Sequence, residues 1–161
     1  RIEYKKKNKK FQKINITELI REICDLLSVY AEENKVTIYF YEKRDIYING
    51  NLNKLKRMIL NLISNGIKYN RENGFVNIGI EEKEEKIRVK IEDNGVGIKK
   101  ENINKVFERF YREDKIRTTK KSGSGLGLSI AATIIKFHNG NIEIESIEGE
   151  GTKIYVELPK N

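Results

Sequence analysis

Apolar residues recur along this chain with two different periods, and the switches between them mark its elements. Leu19, Ile20, Ile23, Leu26, Leu27, Tyr30 and Ala31 follow the three-and-four spacing of one helix face. Asn15 or Thr17 can cap that helix, and the pattern carries it to about Asn34. Asn53 to Tyr69 repeats the spacing and sets Leu55, Met58, Ile59, Leu62, Ile63, Gly66 and Ile67 on one side. A third helix is expected over Gly125 to Phe137. Elsewhere the period falls to two. Phe11 to Ile16, Val36 to Tyr41, Asp45 to Ile48, Phe75 to Ile80 and Lys86 to Ile91 are rich in β-branched and aromatic residues and read as strands. Asn141 to Ser146 and Thr152 to Leu158 read as a closing hairpin across Glu148-Gly-Glu-Gly151.

These elements mix without a regular strand-helix-strand alternation. They predict an α/β fold of two layers, a mixed sheet with helices on one face. A length of 161 residues fits one domain with a single packed core. Pro159 is the only proline, so the loops depend on glycine for unusual backbone angles. Gly66 stands in a helix interior, where glycine costs about 1 kcal/mol relative to alanine. Its presence implies close packing at that point, or a helix about to end.

Charge and composition narrow the function. Apolar residues make up 38% and charged residues 35%, the balance of a soluble globular domain. No apolar run approaches the roughly 20 residues that cross a bilayer. Arg1 at the start suggests a piece of a longer protein, whose other segments stay open. The net charge of +8 gathers in Lys5-Lys-Lys-Asn-Lys-Lys10 and in Lys115 to Lys121. The first run reads as a solvated linker, so residues 1–11 are expected to connect to an upstream element and 12–161 to form the domain. A basic balance suits nucleic acid, anionic lipid or a small anionic ligand. No basic helix with base-reading side chains stands out, and no nucleic-acid partner is expected. One cysteine and one histidine exclude a zinc-ligand pattern. Cys24 alone forms no intrachain disulfide and fits a reducing, cytoplasmic setting, as a buried thiol without a role.

The candidate chemistry lies in four segments. Asn61, Asn65, Lys68 and Tyr69 fall on one flank of the second helix, since each residue advances the helix by about 100°. Magnesium favours one or two protein oxygens together with waters and phosphate oxygens, so Asn65 can hold the ion and Asn61 a water on it. Lys68 can meet phosphate as a mobile point charge. Asp93 ends a strand beside Gly95 and Gly97. Its carboxylate can accept from the exocyclic amine of adenine and would repel the carbonyl of guanine, a reason to favour ATP over GTP. Phe107-Glu-Arg-Phe-Tyr-Arg112 places rings beside cations, with Arg112 in reach of a phosphate. Ser122 to Leu128 is glycine-rich and opens a helix, where backbone N–H groups favour anions. Glu113 to Lys121, between them, has the composition of a lid over polyphosphate. Each segment has a plainer reading: a solvated helix flank, a tight turn, a satellite core with surface arginines, a flexible linker. All four plain readings must hold together for the nucleotide reading to fail.

In this order the segments resemble the N, G1, F and G2 boxes of the catalytic, ATP-binding domain of sensor histidine kinases, in the superfamily with DNA gyrase, Hsp90 and MutL. The resemblance covers about residues 12 to 160, and the F box separates kinases from gyrase-like ATPases. It implies a Bergerat-type α/β sandwich and the cofactors ATP and Mg²⁺. Asn65 would then ligate the metal, and Asn61, Lys68 and Tyr69 would line the phosphate and ribose side. Asp93 would bind adenine, with Gly95, Gly97 and Ile98 shaping its pocket. Gly123, Ser124, Gly125, Leu126, Gly127 and Leu128 would contact phosphates and support the lid, and Thr152 of the closing segment would complete the binding set. Asn61, Lys68 and Arg112 are the residues expected to act in transfer. Three positions depart from the family pattern: Ser122 and Gly66, where glycine and alanine are common, and Asn51-Leu52 in place of a frequent Asp-Pro.

The acceptor in such kinases is a histidine on a separate dimerisation domain of a homodimeric parent, which then passes phosphate to a response regulator receiver domain. His138 precedes Asn139-Gly140 at a helix end and is expected to be structural. The resemblance thus implies a cytoplasmic catalytic domain of a membrane-anchored two-component sensor. Gyrase-like relatives carry a glutamate where Asn61 stands, and an amide cannot serve as a general base. A stand-alone serine kinase of the anti-sigma type shares three of the boxes and remains the alternative, with a basic nucleic-acid-binding module as a rival of another class.

Overall fold

The computed structural model describes residues 11–107 and 124–161, with only the backbone for 124–127. The lysine-rich start, Arg109, Arg112, the expected lid, Ser122 and Gly123 lie outside the described residues.

The chain begins with strand β1 (Gln12–Asn15) and helix α1 (Ile16–Leu26). Asn15 is the cap, its side-chain oxygen accepting from the Glu18 N–H at 3.1 Å. Thr17 has another use. Fully buried, it donates to the Arg44 carbonyl at 2.7 Å and accepts from the Ile46 N–H at 3.2 Å. The helix expected to run to Asn34 breaks at Leu27, and α2 (Ser28–Glu33) follows. There the Ser28 hydroxyl turns back to the Asp25 carbonyl at 2.8 Å, a local bond that competes with helix continuation. Burial changes sides at the same point, with Leu26 69% exposed and Leu27 8%.

Strands β2 (Val36–Phe40) and β3 (Tyr47–Gly50) lead to the long helix α3 (Leu52–Lys68). Asn51 caps α3 by accepting from the Lys54 N–H at 3.0 Å, so the departure from Asp-Pro costs the helix no cap. Strands β4 (Gly74–Glu82) and β5 (Lys86–Asp93), a 3₁₀ turn at Lys100–Lys105, helix α4 (Ser124–Phe137), and strands β6 (Asn141–Ile147) and β7 (Gly151–Pro159) complete the described residues.

Five strands form one mixed sheet in the order β2-β4-β5-β7-β6, with β2 parallel to β4 and the other pairs antiparallel. β1 and β3 pair with each other as a separate antiparallel ribbon. The sheet obeys the period of two. Val76, Ile78, Ile87, Val89 and Ile91 are buried in the core shared with α3's Leu55, Met58, Leu62 and Ile63. The opposite face carries ion pairs such as Lys86–Glu157 and Arg88–Glu143. This is the expected two-layer arrangement, helices on one face.

His138 proves structural. Its Nε2 accepts from the Asn51 N–H at 3.0 Å, which leaves the proton on Nδ1 to donate to the Ile134 carbonyl at 2.8 Å. The ring is 3% exposed and stacks on Phe11. It joins the end of α4 to the start of α3.

Candidate functional site

Where α3 passes the ends of β5 and β7, the two layers part around a narrow cleft of about 70 Å³. From α3 it takes Leu62, Asn65, Gly66 and Tyr69, and from the sheet Ile91, Asp93, Thr152 and Ile154. The remaining wall includes Gly97, Ile98, Val106 and Leu128. The interior is mostly apolar with a few polar groups at one side, the usual chemistry of a site for a planar organic group.

Asp93 supplies the strongest polar group. It closes β5 opposite Thr152 of β7, and the chain then turns sharply. One carboxylate oxygen accepts from the Gly95 N–H at 2.8 Å, and the Thr152 backbone lies close enough to favour the charged form. Burial pushes the Asp93 carboxyl up to about 6, against the pull of these two backbone groups and with a small push from Glu92. The group is ionised at neutral pH yet poorly solvated, a state that a hydrogen-bond donor entering the cleft would relieve.

Close backbone contacts dictate the glycines here. A β-carbon on Gly95 would lie 2.3 Å from the Tyr69 carbonyl oxygen. Gly97 has φ +70°, and a β-carbon there would lie 2.1 Å from the Ile147 carbonyl oxygen. The turn is thus wedged between the end of α3 and the β6–β7 turn. The Val96 N–H donates to the Tyr69 carbonyl at 3.0 Å, and the Gly149 N–H to the Val96 carbonyl at 2.8 Å. Gly66 serves the close packing its sequence position implied. A β-carbon would stand 3.1 Å from a Val76 methyl, tighter than ordinary contact, and 3.8 Å from Asp93 Oδ2.

Asn65 carries the one other signal of a missing partner inside this cleft. Its Nδ2 is buried without a hydrogen-bond partner. Amide nitrogen and oxygen exchange places on a half-turn of the group, so the side chain can offer either atom to a ligand. Among the described residues no three His, Cys, Asp or Glu converge on a metal position. The Asn65 amide oxygen is a ligand of the type that Mg²⁺ accepts beside phosphate oxygens and waters.

The fold brings together Asn65, Tyr69, Asp93, Gly97, Ile98, Leu128 and Thr152 of the residues the sequence proposed. Gly95 supports the turn from outside the cleft wall. Asn61 and Lys68 do not line the cleft. The row Leu62, Asn65, Gly66 and Tyr69 is centred about 100° round α3 from them, at the border of polar flank and apolar side. Lys68 instead lies with its ammonium 5.8 Å from the centre of the neighbouring Tyr69 ring. For Ser124, Gly125, Leu126 and Gly127 the structure gives helical backbone alone.

Sequence reading missed most of the apolar wall, Ile98 and Leu128 apart, and one hydroxyl. Ile91 and Ile154 could have been found, because they are inward positions next to Asp93 and Thr152 on strands already expected. Val96 and Val106, which follow no strand or helix period, gave no signal. Ser146 accepts from the Ile98 N–H at 2.8 Å and bonds the Thr152 hydroxyl at 2.8 Å, so it holds the cleft's edge from β6.

Comparison with known proteins follows the same lines. Residues 50–161 match the model of the family described as histidine kinase-, DNA gyrase B-, and HSP90-like ATPase. The sensor histidine kinase WalK of Bacillus subtilis (strain 168) is 40% identical over 148 residues, 91% of this chain and 24% of WalK. The chain therefore spans about a quarter of the length of that relative. The catalytic domain of histidine kinase ThkA, in a nucleotide-free form, superposes with a TM-score of 0.80 at 30% identity, over 93% of this chain and 95% of that one. ThkA in complex with the response regulator protein TrrA superposes with a TM-score of 0.76 at 28% identity, over 94% of this chain and 42% of that one.

Proposed function

Because the chain belongs to the histidine kinase-, DNA gyrase B- and HSP90-like ATPase family, we propose that it binds Mg²⁺-ATP in the cleft at Asp93 and donates the γ-phosphate to a histidine on a separate dimerisation domain. The observation that carries this reading is the Asp93 carboxylate, poorly solvated and fixed by the Gly95 N–H beside an apolar slot that also holds Asn65, whose Nδ2 has no hydrogen-bond partner.

The adenine ring lies between Leu62, Ile91 and Ile154, where burial of a flat apolar surface stabilises it. Its exocyclic amine donates to the Asp93 carboxylate. Guanine would present a carbonyl there and meet a carboxylate. Asn65 and Tyr69 stand beside the ribose and first phosphate, and the polyphosphate runs out toward Asn61 and Lys68 on the neighbouring flank. Asn65 together with phosphate would hold magnesium, which would supply charge neutralisation for the departing diphosphate. Phosphoryl transfer is mainly positioning and electrostatics, so the domain needs no strong base, and an amide at Asn61 disfavours activation of water. ATP is therefore kept for the protein acceptor.

Identity to WalK and similarity to ThkA support a sensor-kinase parent with a response regulator as its downstream partner. The same reading places this domain in the cytoplasm, joined through residues 1–11 to a dimerising, phosphoaccepting segment. The test is to mix this chain with that upstream helical segment and radiolabelled ATP. Acid-labile phosphohistidine on the segment is the expected product. Multiple-turnover ATP hydrolysis by the isolated chain, or no binding of magnesium nucleotide, would overturn the proposal.

A further inference from the structure

Arg71 lies just past α3, outside the cleft wall, yet it is the side chain that ties three pieces of the site together. One of its terminal nitrogens, Nη2, donates to the Gly95 carbonyl at 3.0 Å and to the Gly149 carbonyl at 2.6 Å. A guanidinium nitrogen has two hydrogens, and here each has its own carbonyl. Gly95 belongs to the turn that carries Asp93, and Gly149 to the β6–β7 turn.

The other end of Arg71 is anchored too. Its N–H donates to Asn70 Oδ1 at 2.8 Å, and the Asn70 amide nitrogen donates to the carbonyls of Gly66 and Phe75, both at 2.9 Å. Asn70 is 5% exposed, so this bracket is part of the core. The connection runs without a gap from the Gly66 turn of α3, through Asn70 and Arg71, to the loop that sets the position of Asp93. Backbone bonds already join that loop to Tyr69 and to Gly149. Arg71 adds the only side-chain bonds among the described residues that engage both turns from the end of α3.

We propose that Arg71 is a positioning residue for nucleotide recognition, locking the 93–97 turn against α3 and the β6–β7 turn so that Asp93 meets the base in one fixed geometry. This rests on the reading of the cleft as an ATP site. Arg71 does not line the cleft, and its side chain bonds the turn that carries Asp93, so its effect falls on affinity for the base and not on phosphate chemistry. A planar fork with two donors on one nitrogen suits two carbonyls, and a lysine ammonium can supply part of the same bonding.

Calorimetric titration of this chain with adenosine, and with magnesium and a non-hydrolysable ATP analogue, tests the proposal in four proteins: wild type, Arg71→Ala, Arg71→Lys and Asp93→Asn. Arg71→Ala is expected to weaken both ligands alike by about fivefold to tenfold, the loss of a pair of hydrogen bonds to carbonyls. Arg71→Lys should recover most of that loss. Amide exchange should quicken at Val96 and Gly149 in the alanine variant while the core of α3 keeps its protection. Wild-type affinity in Arg71→Ala would overturn the proposal. So would weakening that lysine does not relieve and that comes with faster exchange throughout α3, the mark of a general stability role. If wild type itself binds neither ligand, the ATP reading fails; exchange at Val96 and Gly149 in Arg71→Ala still reports whether the lock exists.

Discussion

The two flanks of α3 at the candidate site are built differently. On the Asp93 side, position is settled before any ligand arrives. The Gly95 N–H holds the carboxylate, glycines allow the turn to be wedged, and Ser146 and Arg71 brace it from two directions. On the other flank, Asn61 and Lys68 are not among the described residues that line the cleft, and under the proposed function they meet the phosphates. The contrast follows the chemistry of the two halves of a nucleotide. A base is recognised by one donor in one direction, which requires rigidity. A polyphosphate is recognised through charge, which tolerates distance and motion.

Asn65 stands where the flanks meet, so its loss should have the largest effect. Asn65→Ala is expected to reduce phosphohistidine formation in the assembled kinase to background, and to remove the magnesium dependence of ATP-analogue binding. Calorimetry with and without magnesium checks this, and an unchanged magnesium dependence would take Asn65 out of the metal site.

Asp93→Asn comes next. A hydrogen bond to a buried charged group contributes about 1.5–3 kcal/mol, so affinity should fall by about tenfold to a hundredfold. Adenosine and ATP should lose equally, because the contact is to the base. A loss confined to ATP would invert the assignment of the two flanks.

The pH profile sharpens the same point. With its carboxyl at about 6, Asp93 loses its charge below that pH, and nucleotide affinity should decline on acidification by up to about tenfold per unit. Asp93→Asn should flatten the profile. Stability without ligand moves the other way. The folded value lies above the ordinary aspartate value of 3.8, so this group favours the fold most when protonated. Its contribution is lost as pH rises from about 4 through 6, and the melting temperature of wild type should fall relative to Asp93→Asn over that window.

The smallest effects are expected on the flank of Asn61 and Lys68. Lys68→Ala and Asn61→Ala should weaken ATP by about threefold to tenfold and leave adenosine unchanged, with the Lys68 effect shrinking in high salt. Equal weakening of adenosine by either substitution would show that the flank is part of the base pocket after all.

Much of this could be read before any coordinates. The alternation in β4 and β5 and the helical spacing in α3 named the core because local periodicity and burial are two views of one constraint. Asp93, Gly95 and Gly97 were legible as a sharp turn after a strand because glycines there permit close backbone approach, while the segment alone fitted a plain turn as well as a binding site. The first helix was read as too long because a serine hydroxyl can satisfy a backbone carbonyl from within an otherwise regular pattern, and periodicity does not register that competition.

Residue types and order determined the layers, the strand set and the identity of the polar groups, since these depend on neighbours a few positions away. Tertiary packing alone decided which of the four polar residues on α3 face the cleft. It also brought Ser146, Thr152 and Gly149, far along the chain, against the Asp93 turn, and gave Arg71 two carbonyls to hold. Those outcomes depend on how a helix is rotated on a sheet and how two turns meet, and no local pattern in the chain encodes that rotation or that meeting.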